Sequence, residues 1–267
     1  MSKSIDLKDS AQMTFWEHVD VFRKILFRCL GVWAVCSIVV FCFKEPVFKI
    51  IFAPSKSDFV LYRLLCRLSD VLGLDALCLE PFEANFINTQ LASQFMMHLS
   101  ASLWIGLVIA MPYLIYQFYS FVSPALYANE RRYSFVLIFN SFILFTIGVL
   151  LNYFVIFPFS FRFLSTYQVD SVVVNQIALS SYMSTLLMLS LLMGLVFEIP
   201  ILAYFLAKLG LIDADMLRKY RKHSFVVICI LAAIITPTAD IFTLLLVACP
   251  IALLYELSIR VVKKVAK

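Results

Sequence analysis

The side chains in this chain that could do chemistry are acids rather than nucleophiles. Glu198 stands inside an apolar run, Tyr182 to Leu206, with Pro200 two residues on. A carboxylate in a membrane span costs about 2.5–3.5 kcal/mol on insertion scales, so it must face the bundle, pair, or touch water. Pro200 lacks an N–H and frees a carbonyl nearby. Two readings stay open: a polar pocket on a transport path, or a protonated glutamate hydrogen-bonded within the bundle. Asp240 closes Thr236-Pro237-Thr238-Ala239-Asp240, between two short apolar runs. As a turn residue beside water it needs no further role, but its place at the thin part of the bundle makes it a second candidate. Glu130 precedes Arg131 and Arg132 in a short polar loop. The arginines read as orienting charge and Glu130 as an acid at a helix N-terminus. A sharper reading gives Glu130 a cationic ligand, because a carboxylate binds a guanidinium by charge-assisted, bidentate bonds.

Catalytic patterns are missing. His18, His98 and His223 are far apart, and no HExxH or GxSxG occurs. No Cys/His spacing suggests a metal. Cys29, Cys36, Cys42, Cys229 and Cys249 fall in apolar runs and read as small packing residues. Cys66 and Cys78 fall in one polar segment, where a disulfide is open, since spacing alone does not fix their distance. Neither an enzyme, a cofactor nor a metal is expected.

These acids must be positioned by membrane helices. The chain has 267 residues, 63% apolar and 15% charged, with a mean hydropathy of +0.94. Soluble domains are about half apolar and about a quarter charged. A globule of this size could not hide so much apolar surface, and disorder fails on the same ground. The apolar runs are continuous, with only 6 Gly, so helices fit better than alternating barrel strands. The expected fold is all-α and integral to the membrane, one domain over 1–267. Its six spans are 25–43, 94–118, 133–157, 182–206, 224–235 and 241–255. The last two are short against a hydrocarbon core of about 30 Å, which predicts a locally thinned bilayer. Pro112 and Pro250 are expected to kink their helices.

Lysine and arginine set the orientation. With both termini inside, sixteen of the 22 bases lie inside. The outer six are Lys44, Lys49, Lys56, Arg63, Arg67 and Arg162. The net charge of +5 then reflects orientation and not nucleic-acid binding. No cleavable signal is expected, because the first twenty residues are polar or amphipathic. Lys44 to about Ser93 forms the largest outer piece. A helix from Ser57 to Leu72 is expected there, packed on the tops of the spans in preference to lying on the membrane. Pro158 to Ser181 is expected as a second outer loop. No internal repeat is visible.

Several segments, in order, resemble the TatC family, the receptor subunit of the twin-arginine protein translocase. They are His18-Val19-Asp20-Val21-Phe22-Arg23-Lys24, Ala53-Pro54, Pro81-Phe82-Glu83-Ala84 and Phe121-Val122-Ser123-Pro124-Ala125-Leu126-Tyr127 with Glu130-Arg131-Arg132. Gly148 through Tyr153 to Pro158, Phe197-Glu198-Ile199-Pro200, Thr236-Pro237 with Asp240, and Leu254-Tyr255-Glu256 continue the match. The resemblance implies a receptor that binds twin-arginine signal peptides of folded cargo at the cytoplasmic face of a bacterial inner membrane. It implies oligomers, contact with membrane lipid, TatA/TatB-type single-span partners and a drive from the proton-motive force. It places recognition on Glu130, with Arg131, Arg132 and Phe121 beside it. The family's first acidic position falls on Val21, leaving Glu17, one turn earlier on that face, or adjacent Asp20 to supply the carboxylate. Glu198 matches the family's acid in the fourth span. Asp240 follows a motif one residue longer than the family's, and Pro54 joins these two as a polar or transport candidate. The alternative reading is a secondary transporter of small molecules or ions using Glu198.

Overall fold

In the computed structural model, residues 15–73, 78, 82, 85–122, 134–168, 170, 175–236 and 240–265 are described. Helix α1 spans Phe15–Cys42 and is followed by α2, Lys44–Ile51, a 3-10 turn at Ala53–Ser55, and α3, Val60–Leu72. A two-residue strand β1, Phe86–Ile87, precedes α4, Ser93–Val122. Then come α5, Ser134–Leu151, a π-helical segment Asn152–Ile156, and α6, Phe157–Thr166. Strand β2, Ile177–Ala178, leads into α7, Leu179–Val196, and α8, Ile199–Lys208. Helices α9, Ala214–Lys219, α10, Arg221–Ile235, and α11, Ile241–Val265, complete the order.

Five helical stretches among the described residues are long and apolar enough to cross a membrane: Val19–Cys42, Ser93–Phe121, Val136–Thr166, Leu179–Lys208 and Ile241–Lys264. The fifth expected span is α10, whose 15 residues reach only about 22 Å at 1.5 Å per residue. The last helix is not short. It runs on past Tyr255 to Val265 because Ile259 and Val262 continue its buried stripe. The expected outer loop at Pro158 also begins later. Pro158 sits in the first turn of α6, directly after the π-helical segment, and the helix continues to Thr166. Helices α4 and α11 run through Pro112 and Pro250 without interruption.

One end of the bundle carries a cap made of α2, α3, β1 and β2. The strands pair in parallel, Phe86 with Ile177 and Ile87 with Ala178. Tyrosine hydroxyls tie the cap to the spans. Tyr153 donates to the Ile50 carbonyl and Tyr182 to that of Ile51, each at 2.7 Å, which satisfies the open carbonyl end of α2. Tyr62 donates to the Pro158 carbonyl at 2.8 Å. Burial pushes the Tyr62 phenol above its ordinary range, only partly offset by the Arg162 charge, so it stays a neutral donor. Arg162 lies over the rings of Tyr62 and Phe82 at 5.7 and 5.3 Å, a cation–π arrangement. Cys66 and Cys78 are joined by a disulfide, which closes the question their spacing left open.

Helix α3 begins at Val60 and ends on Gly73, whose φ of 66° supplies the left-handed cap. It docks as expected, but through a narrow face: Tyr62 and Ser69 are buried, while Val60, Leu64, Leu68 and Val71 remain exposed. The reason is that Tyr62 brings both ring area and a hydroxyl that a carbonyl on α6 can accept.

Glycines let the spans approach. A Cβ on Gly106 would lie 2.7 Å from the Ser37 Cα of α1, and one on Gly148 would lie 2.6 Å from the Met193 carbonyl oxygen of α7. Both obstacles are backbone. Gly31 meets nothing within 4 Å. Gly106→Ala and Gly148→Ala are therefore expected to destabilise by about 1–3 kcal/mol through overpacking, while Gly31→Ala does not. Thermal unfolding in detergent checks this, and equal midpoints for all three variants would contradict it.

Candidate functional site

The fourth span is two helices. Helix α7 stops at Val196, Phe197 and Glu198 form a turn, and α8 starts at Ile199 with Pro200 in its first turn. The proline explains the break: it offers no N–H to continue the α7 ladder. The N–H of Glu198 turns back to the Leu195 carbonyl, while the Glu198 carbonyl accepts from Ile201 and Leu202. The backbone at the break is thus re-paired locally, as lipid surroundings demand.

The Glu198 side chain reaches α5. Ser141 Oγ donates to its Oε2, while Oε1 is buried without a partner among the described residues. Ser141 sits seven residues into α5, about 10 Å along its axis. The break therefore lies nearer the end opposite the cap. Around it, Gly148 and Gly194 bring α5 and α7 into contact, with Phe145 filling the space over Gly194. Phe197 joins an apolar cluster with Met193, Val247 and Ile251. The carboxyl group is thus bound on one oxygen and open on the other, in apolar surroundings.

A second polar pair lies farther along the same interface. Asn152 is 0% exposed and opens the π-helical segment. Its Nδ2 donates to Ser190 Oγ at 2.8 Å, and its Oδ1 is buried without a partner among the described residues. Ser190 in turn donates to the Leu186 carbonyl. Neither Ser141, Asn152 nor Ser190 stood out in the sequence, because uncharged polar residues do not interrupt an apolar run. The available signal was small hydroxyl and amide side chains in spans, which favour helix–helix contacts.

The other candidates fall elsewhere. Asp240 starts α11: its Oδ1 accepts from the Thr243 N–H at 2.7 Å, and Thr243 Oγ1 donates to Oδ2. This is an N-terminal capping arrangement at the cap end, separate from Glu198. Pro54 is buried in the 3-10 turn of the cap. The three polar candidates therefore occupy three places and do not form one pocket. At the end opposite the cap, Glu256 pairs with Arg221, fixing α11 to the start of α10.

Three of the recognition candidates, Glu17, Asp20 and Phe121, lie on helices at that same end. Asp20 is exposed and pairs with Arg23 one turn along at 3.3 Å. Glu17 lies on α1. The rings of Phe22 and Phe121 meet at 5.5 Å, which joins the start of α1 to the end of α4. Glu130, Arg131 and Arg132 lie outside the described residues.

The contact with Ser141 gives an energetic expectation. Ser141→Ala removes the donor on Glu198 and is expected to cost about 1–3 kcal/mol. A double variant, Ser141→Ala with Glu198→Leu, recovers most of this, because replacing both partners by apolar groups is nearly neutral. Detergent melting of the single and double variants measures the coupling. A Ser141→Ala midpoint equal to that of the native chain would show that the bond does not hold the carboxyl.

Comparison with known proteins adds an independent finding. The family model for the Sec-independent protein translocase protein (TatC) matches residues 17–250. A TatC protein of Blattabacterium sp. subsp. Periplaneta americana is 36% identical over 259 residues, covering 96% of this chain and 97% of that one. One from Desulforapulum autotrophicum is 30% identical over 94% of this chain and 85% of its own. A crystal structure of the twin arginine translocase receptor TatC superposes with a TM-score of 0.74 at 30% identity, covering 94% of this chain and 100% of that one.

Proposed function

The chain belongs to the TatC family, a non-enzymatic component of Sec-independent protein translocation, and on that premise we propose that it is the twin-arginine signal-peptide receptor of its translocase. It is a multi-pass membrane protein. The proposed face for the signal peptide is the end opposite the cap. The observation that carries this reading is the Phe22–Phe121 contact. It sets the acidic start of α1 beside the end of α4, from which the chain proceeds to Glu130.

The chemistry suits the ligand. Two guanidinium groups need carboxylates with free oxygens, held where water is partly excluded. Charge-assisted pairs strengthen as the local dielectric falls. Glu130 supplies one carboxylate and Glu17 or Asp20 another, with Phe121 offering apolar contact beside them. Arg131 and Arg132 flank Glu130 and limit how many cations can settle there. Single-span TatA/TatB-type partners would assemble on the exposed faces of the spans, several copies would associate, and the proton-motive force would drive transport, as membership of the family implies.

The orientation follows from charge and cysteine chemistry together. The bases concentrate at the end opposite the cap, which supports placing that end and both termini in the cytoplasm of a bacterial inner membrane. The Cys66–Cys78 disulfide supports an oxidising compartment for the cap.

Glu130→Ala and Glu130→Lys are expected to weaken crosslinking of a twin-arginine signal peptide, the lysine change more, with export of a twin-arginine reporter falling in parallel. Unchanged crosslinking and export would remove Glu130 from the site. Of Glu17→Ala and Asp20→Ala, at least one is expected to reduce crosslinking measurably; indifference to both would mean that Val21 marks a lost contact. For orientation, a membrane-impermeant maleimide applied to intact spheroplasts should modify Cys66 and Cys78 only after reduction. Modification without reductant would argue against the oxidised cap.

A further inference from the structure

Helix α3 touches the bundle along one edge only, marked by the buried Tyr62 and Ser69. A helix turns by about 100° per residue, which orders the rest of its surface. Moving round from the buried edge, the exposed Asp70, Arg63 and Arg67 come first. Val60, Val71, Leu64 and Leu68 follow on the far side, all exposed, Val71 by 81%. The half-buried Leu61 and Leu65 close the circle. Charge thus occupies one sector of the open surface and apolar side chains the other. That division suits a boundary, with the apolar sector in hydrocarbon and the charged sector among headgroups.

The depth of α3 selects the same place. The third span begins near Val136, just after Arg131 and Arg132 in the chain. From Val136 the helix rises about 27 Å to Phe154 and about 33 Å to Pro158. A hydrocarbon core about 30 Å thick therefore ends between them. The Phe59 ring, at the foot of α3, stacks on that of Phe154 at 5.8 Å. Tyr62, one turn on, bonds the Pro158 carbonyl. Helix α3 starts where hydrocarbon gives way to headgroups, so lipid is already present beside its apolar sector.

The two sectors meet in a shallow groove of about 260 Å³, lined by Val60, Arg63, Leu64 and Arg67. Its surface is almost wholly carbon, so the arginines line it with their stems. Stems laid along apolar surface carry their guanidinium groups to its rim. Arg63 is held by Asp58 in a pair whose side chains are both more than half exposed, and such pairs contribute little. Arg67 makes no ion pair among the described residues. Phosphate suits both, because a guanidinium binds it through paired, charge-assisted bonds.

We propose that α3 is an interfacial helix of the cap-side leaflet. Val60, Leu64, Leu68 and Val71 enter the acyl region, and Arg63 and Arg67 bind phosphate groups of the same phospholipids. The cap is then held twice, by tyrosine hydroxyls to the spans and by α3 to the membrane surface. The proposal needs only a membrane-embedded bundle and is independent of signal-peptide binding at the opposite end.

Fluorescence quenching in proteoliposomes tests it. The full chain is used with Cys29, Cys36, Cys42, Cys229 and Cys249 replaced by alanine and the disulfide kept. Single cysteines introduced as Leu64→Cys, Leu68→Cys or Val71→Cys carry a nitrobenzoxadiazole label in the apolar sector. Asp70→Cys reports the charged sector, and the fully exposed Leu91→Cys reports water. The vesicles are phosphatidylcholine, with or without phosphatidylglycerol, and the quenchers are a doxyl group high on the acyl chain and aqueous acrylamide. Because such helices sink about 5–10 Å into the headgroup–acyl boundary, labels in the apolar sector are expected to be quenched by doxyl lipid at least about three-fold more than at Asp70 or Leu91. If Leu64→Cys or Leu68→Cys fails to fold, Val71→Cys carries the test. Quenching by acrylamide alone would overturn the proposal, since the face would then stand in water. Quenching by neither would overturn it too, since another protein surface would cover the face. Replacing both arginines, Arg63→Gln with Arg67→Gln, is expected to lower doxyl quenching at Val71→Cys in both kinds of vesicle. No loss would remove phosphate binding from the proposal, and a loss confined to phosphatidylglycerol would mean that net surface charge is what the arginines read.

Discussion

Lipid offers no hydrogen bonds, so every departure from a regular helix in this bundle must find its partners within the protein. The polar side chains of the interior are placed by that constraint. Where α2 ends, Tyr153 and Tyr182 supply hydroxyls to its last carbonyls. Where α7 breaks, the backbone re-pairs through the turn at Glu198, and Ser141 meets the carboxyl group. Where the third span loosens into a π segment, Asn152 crosses to Ser190. Where α11 starts, Asp240 takes up the Thr243 N–H. Each irregularity and its polar partner form one unit.

The same constraint explains why α5 and α7 pack so closely. Polar pairs at both ends of their interface work only if the helices stay within hydrogen-bond reach, and a larger residue between them would hold the backbones apart. Gly148 and Gly194 fill the positions between the two pairs. Small residues at helix crossings replace the hydrophobic drive that lipid surroundings remove. The glycines therefore set the separation on which the Glu198 and Asn152 contacts depend.

Much of this was legible in the sequence, and the gaps have physical causes. The spans were read from continuous apolar runs, and four of the expected stretches coincide with helices of crossing length. Hydropathy ends the last helix too early, where charges begin, although a helix end that lies along other helices can carry Arg260 and Lys263 outward while burying Ile259 and Val262. Glu198 was conspicuous because a charge in a span is rare. Ser141 and Asn152 were not, since neither interrupts hydropathy. The cap was the least legible part: its strands are two residues each, and its helix α3 docks by a tyrosine hydroxyl while leaving leucines outward. Pattern alone predicts the reverse.

Burial divides the molecule into two kinds of span. The most apolar window of the α7–α8 stretch is 50% buried, while that of α1 is 11% buried. Helix α1 leans mainly on α4, through the Ser37–Gly106 approach and the Trp33 bond to the Leu103 carbonyl at 2.9 Å. The segments proposed to read the signal peptide thus belong to the least embedded helix and to the chain that follows α4. Regions with few buried contacts open at low free-energy cost, and binding surfaces are drawn from them. On the proposed function, an edge built this way can shift to take a peptide while the glycine-tight α5–α7 interface keeps its polar pairs. Had Glu17 and Asp20 been carried on α7, each adjustment to a ligand would have pulled on Ser190 and Ser141, and through Ser141 on the Glu198 carboxyl group.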